Sequence, residues 1–68
     1  MPKFNKIKGR LLEMEITQRE AAEKLGIQQA TLSQKLNNVR PMSLSEANAL
    51  GRLLNLTNDE YYEIFFAD

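Results

Sequence analysis

Residues 17 to 38, TQREAAEKLGIQQATLSQKLNN, carry two short helical patterns joined by a glycine, and their reading decides the fold. Thr17 stands three residues before Glu20, the spacing at which a hydroxyl and a carboxylate satisfy each other's free backbone amides at a helix start. Ile16 is placed to staple onto Ala21. Ala21, Ala22 and Leu25 share one face, leaving Gln18, Arg19, Glu23 and Lys24 on the other. Small side chains on that inner face let a second helix cross close by. Gly26, without a Cβ, can take the positive φ that ends a helix, and Ile27 then turns into the core.

A second helix begins near Gln28. Leu32 and Leu36, four residues apart, mark its buried stripe, so Gln29, Ala30, Ser33 and Gln34 face outward with Thr31 at the border. A helix needing only solubility more commonly shows Glu and Lys on such a face. Gln instead offers one donor and one acceptor, a match for the major-groove edge of adenine. The two patterns together read as a helix-turn-helix, with the second helix as the reader.

The motif resembles that of the lambda-repressor-like helix-turn-helix family, the short repressors and Cro-type regulators of phages and other mobile elements. The resemblance covers most of the chain. It is closest at Thr17-Gln18, Ala21-Ala22, Leu25-Gly26-Ile27, Gln28-Gln29 and Leu36-Asn37-Asn38. It implies an all-α, compact five-helix domain with the helix-turn-helix at helices 2 and 3. It also implies a sequence-specific regulator of transcription that binds a roughly palindromic double-stranded DNA operator as a homodimer. The residues expected near base edges are Gln28, Gln29, Ala30, Thr31, Ser33 and Gln34. Those expected near phosphates are Gln18, Arg19, Lys35, Asn37, Asn38 and Arg40. Two positions depart from the family pattern: Lys35 stands where many relatives have an apolar residue, and Asn38 where they usually have Gly. Asn is the next-best residue for a left-handed cap.

The remainder of the chain fits one unit around this motif, because 68 residues with 43% hydrophobic content can form one small core and no second. No repeat, low-complexity tract or Ser/Gly-rich linker divides it. Cysteine, histidine and tryptophan are absent, so neither disulfides nor His or Cys metal ligands can staple the fold. No metal or cofactor is implied. The absence of a long apolar run argues against a membrane span, the N-terminus lacks a secretory core, and a cytoplasmic location is expected.

Helix 1 is expected from about Asn5 to Glu13, with Phe4, Ile7, Leu11 and Leu12 on its apolar face and Gly9 hinting at a close helix contact. Arg40-Pro41 forces a loop after the reader helix. Ser43 with Glu46 opens helix 4, stapled by Met42 and Ala47, with Leu44, Ala47, Leu50, Leu53 and Leu54 inward and a stop at Asn55. Thr57 with Glu60 opens helix 5, from about Asn58 to Phe66. Tyr61, Tyr62, Ile64, Phe65 and Phe66 cover more of that helix than one small core needs. Tyr62, Phe65 and Phe66 are therefore expected to meet a second copy of the chain. Two-fold symmetry would set two reader helices about 34 Å, one DNA turn, apart.

Nine basic residues are cancelled by nine acidic ones, yet they are unevenly placed. Residues 1–40 hold eight basic against four acidic residues, a balance of +4, and residues 41–68 hold Arg52 against five acids, a balance of −4. Such polarity orients a protein on a polyanion. Lys3, Lys6 and Lys8 form either an N-terminal arm for DNA or simply a solvated end.

An enzyme is not expected. There is no phosphate-cradling Gly-rich loop, and Ser33, Ser43 and Ser45 have no histidine to activate them. The alternative is an antirepressor or adaptor that engages another protein through the aromatic C-terminal helix. Length enters the family comparison too: 68 residues leave no room for the self-cleaving domain of larger phage repressors, so the resemblance points to a Cro-like regulator governed by its own concentration.

Overall fold

The computed structural model describes residues 2–67. Three of its five helices start on the same local device. Thr17, Ser43 and Thr57 each accept a hydrogen bond from the backbone N–H three residues on, and Glu20, Glu46 and Glu60 each reach back to accept from the capping residue's own N–H. Each box satisfies two amides that the first helical turn leaves without partners.

The helices are α1 (Phe4–Glu13), α2 (Gln18–Leu25), α3 (Gln29–Leu36), α4 (Leu44–Leu53) and α5 (Asn58–Phe65). No strand occurs among the described residues. Four of the helix ends close in one way. A residue in the left-handed region is followed by an N–H that donates to the carbonyl five residues back: Ile16 to Leu11, Ile27 to Ala22, Val39 to Gln34 and Leu56 to Gly51, at 2.8–3.0 Å. The left-handed residues are Glu15, Gly26, Asn38 and Asn55. Asn38 and Asn55 take the roles their sequence positions suggest; Glu15 does so without the glycine or asparagine that would announce it.

Around these turns α2 packs on α3 and α4, and α1 packs on α3 and α5. The core is Phe4, Ile7, Leu11, Ala21, Ala22, Leu32, Leu36, Leu50, Leu54 and Ile64, with Ile16, Leu25, Ile27, Met42, Leu53, Leu56 and Phe65 against it. The N-terminal segment is held to the far end of the chain, for the Lys3 N–H donates to the Ile64 carbonyl at 2.8 Å.

Three sequence expectations need correction. Leu12 is 80% exposed and Leu44 63% exposed, so neither joins its helix's inner face. Leu12 follows Leu11 by 100° of helical turn, and Leu44 sits at the first position of α4, ahead of the stripe begun by Ala47. A Cβ built on Gly9 would meet nothing within 4 Å, so the close approach expected there is absent. It occurs at Gly51, where a Cβ would lie 3.1 Å from Tyr61 Cδ1.

Candidate nucleic-acid interface

The outward face of α3 is what the capped and packed scaffold presents. Leu32 and Leu36 are sealed in the core, which fixes Gln29, Ala30 and Gln34 outward, all exposed, with Gln28 exposed at the N-cap. Thr31 and Ser33 are half-buried at the edges of this face. The face carries no acidic group, and the Gln28 side chain makes no capping bond. Its amides are therefore not consumed by the helix's own structure. Bidentate pairing by such amides with a base edge requires a groove wide enough for an α-helix, which the major groove of B-DNA provides.

At the entry to α2, Gln18 is half-buried and Arg19 exposed. No carboxylate pairs with Arg19 or Arg40 among the described residues. At the exit from α3, the Asn37 side chain is engaged twice: its Nδ2 donates to the Ser33 carbonyl at 2.9 Å, and its Oδ1 accepts from Lys8 Nζ at 2.6 Å. Asn38, exposed, holds φ +60°.

The structure divides the lysine cluster that the sequence left open. Lys3 and Lys6 turn away to Glu63 of α5, at 2.6 and 3.5 Å, and form no free arm. Those bonds, the Lys3 hydrogen bond first, hold the Glu63 carboxyl below the ordinary carboxylate range. Lys8 alone reaches the end of α3 and brings a positive charge beside Asn37. The pattern that could have separated it is its place one residue past buried Ile7, on the flank of α1 that meets α3.

Lys35 departs furthest from its expected role. It bridges to Glu46 of α4, and the two side chains keep only 13% and 16% of their surface exposed. A phosphate contact needs an ammonium facing solvent, so Lys35 is removed from the phosphate-facing set. Its stem is largely covered, and its charge is met from α4.

At the other end of the molecule, Tyr62 and Phe66 are exposed. Phe65 is turned inward instead, half-buried, with its ring 6.0 Å from Phe4 edge-on and 4.9 Å from Tyr61. Between the α3–α4 loop and the end of α5 runs an apolar groove of about 430 Å³, lined by Phe4, Pro41, Met42, Leu44, Phe65 and Phe66 and edged by Arg40. Among the described residues no helix is long and apolar enough to cross a membrane.

No curated protein and no solved structure matches the chain. A family model described as Helix-turn-helix matches residues 7–61, which takes in α2, α3, the helices that carry them and most of the core. With its five helices and its motif at the second and third, the chain belongs to the lambda-repressor-like helix-turn-helix family and is a DNA-binding transcription regulator of that type.

Proposed function

We propose that this chain is a Cro-like phage or prophage repressor, one domain that binds a roughly palindromic operator as a homodimer, with α3 in the major groove. The observation that carries the reading is the exposed, uncharged, amide-bearing face of α3 at Gln28, Gln29, Ala30 and Gln34. Thr31 and Ser33, at its edges, join it at base edges. Gln18, Arg19, Asn37, Asn38 and Arg40 meet the phosphates on either side, and Lys8 adds a charge beside Asn37. Phosphate contacts of this kind set register, and the amides supply discrimination. Because Lys3, Lys6, Arg10 and Lys35 are paired with carboxylates, few charges per subunit remain for DNA, and binding of one subunit alone is weak. Tight binding then requires two.

The test is a salt-dependent binding assay on fragments from the DNA flanking the protein's own gene, with a Gln29→Ala, Gln34→Ala double variant beside the wild type. The expected result is saturable binding to one fragment that falls with salt and is lost in the still-folded variant. Equal binding by the variant would refute α3 as the reader.

A second reading is favoured by the exposure of Tyr62 and Phe66, namely an antirepressor or adaptor that meets another protein through α5. That reading predicts tolerance of the double glutamine change and loss of function when Phe66 is altered, whereas a change at Phe65 would also disturb the packing on Phe4.

A further inference from the structure

The Lys35–Glu46 pair takes no part in the surface assigned to DNA, yet it ties the reader helix to its neighbour. Glu46 is held in place before Lys35 arrives. One oxygen, Oε1, accepts from the Ser43 N–H at 2.9 Å, while its own N–H donates to Ser43 Oγ at 3.1 Å. The second oxygen, Oε2, accepts from Lys35 Nζ. Burial alone would raise this carboxyl's pKa, but the Lys35 hydrogen bond and the Ser43 contacts outweigh it, and the group is held below its ordinary value. The carboxylate is thus a fixed, charged anchor at the start of α4.

Lys35 lies next to both functions of α3. Gln34 before it is exposed, and Leu36 after it is in the core. Leucines in a core resist translation of a helix well, but their contacts have no direction and tolerate a small roll about its axis. A charge-assisted hydrogen bond is directional and does not. Largely buried, it also penalises any roll that leaves one charge without its partner.

We propose that Lys35 and Glu46 are positioning residues that fix the rotation of α3 about its axis, and hence the angle at which Gln29, Ala30 and Gln34 meet base edges. The pair sets specificity without touching DNA. This rests on α3 being the reader helix.

The test compares wild type, Glu46→Gln, Lys35→Met and the double variant, each bound to the selected operator fragment and to random-sequence DNA over a range of salt. Glu46→Gln keeps an oxygen for the Ser43 amide, and Lys35→Met keeps the apolar stem. Each single change is expected to cut the operator-over-random ratio about tenfold, as for one poorly made base contact. The double change is expected to cut it no further, since both remove one interaction. The slope of affinity against salt stays as in wild type; a lysine that touched phosphate would lower it by about 0.9. A lowered slope in Lys35→Met with an unchanged ratio, or a parallel fall of both affinities together with Tm, would overturn the proposal. Should the wild type prefer no fragment at all, the reader assignment itself fails. The pair is then judged by amide exchange: selective acceleration in α3 on Glu46→Gln upholds its anchoring role, and uniform acceleration or none refutes it.

Discussion

Helices α3 and α5 are both eight residues long, and they divide their surfaces in opposite ways. On α3 two leucines do the packing and the outward face is polar; it begins without a side-chain cap. On α5 a full capping box starts the helix, Ile64 alone is buried, and aromatic rings run from the core out to solvent. In α3, packing and display fall on different residues, so the display can be changed without loosening the fold. In α5 the same row of rings serves both, and Tyr61, Phe65 and Phe66 lean on one another across the boundary.

The largest effect should separate the two faces of α3. Leu32 is fully buried, and Leu32→Ala is expected to cost about 2–5 kcal/mol, a large part of the stability of so small a fold. Gln29→Ala, on the exposed side, should stay within about 0.5 kcal/mol. Urea denaturation of both variants measures the contrast. A costly Gln29→Ala would mean that the display face also holds the helix.

On α5 the corresponding experiment replaces only the exposed rings. Tyr62→Gln with Phe66→Gln is expected to raise the dissociation constant of the proposed dimer by roughly tenfold or more, with little change in Tm. Sedimentation at several concentrations reads the first and thermal unfolding the second. If Tm collapses while association is unaffected, the rings close the core and do not meet a partner. Phe65 is excluded from this pair because its ring already packs on Phe4.

The difference between the helices also explains what could be read from the chain. Capping boxes and i, i+4 leucines are local in sequence, so all three boxes, the Gly26 turn and the polar face of α3 are legible in the chain itself. What depends on a partner distant in sequence is not. Lys35 meets Glu46 eleven residues on, Lys8 meets Asn37 twenty-nine residues on, and Lys3 meets Glu63 sixty residues on. Each pairing changes the role of a charge that composition alone assigns to solvent or DNA. The exposure of Leu12 and Leu44 has a similar origin: an apolar residue at the edge of a stripe is buried only if a neighbouring helix arrives there.

A smaller effect tests the capping of α2 against the uncapped start of α3. Thr17→Ala should cost about 1 kcal/mol, whereas Gln28→Ala, with no capping bond to lose, should cost less. The boxes also make stability sensitive to acid. The Thr17 N–H holds the Glu20 carboxyl below its ordinary value of 4.5, and the Thr57 N–H does the same for Glu60. Near that value the unfolded chain binds more protons than the folded one. The contribution is therefore full above pH 4.5 and lost as the pH falls through the lower folded values. Thermal melts from pH 7 to 3 should show Tm falling at the acid end, less steeply in Glu20→Gln. An equal slope in that variant would assign the acid loss elsewhere.

The smallest effect concerns how α5 is seated. With α4 it makes one close contact, since the Tyr61 ring lies where a Gly51 Cβ would come within 3.1 Å and the Tyr61 hydroxyl donates to Asn48 Oδ1. α5 packs more extensively on α1, yet a cleft of about 300 Å³ opens beside Gly9, bordered by Leu56, Glu60 and Ile64. Gly9 has helical backbone and an empty surrounding, so alanine there meets no atom and removes the entropy that glycine loses on folding. Gly9→Ala is expected to stabilise by about 0.5–1 kcal/mol. At Gly51 the same gain in helix propensity is opposed by displacement of Tyr61 and, through it, of Phe65 and Phe66. Gly51→Ala should therefore fall short of Gly9→Ala in chemical denaturation, and should also weaken association if the exposed rings form the dimer surface. Equal stabilisation by both changes would mean that the Tyr61 ring gives way freely and does not hold α5 against α4.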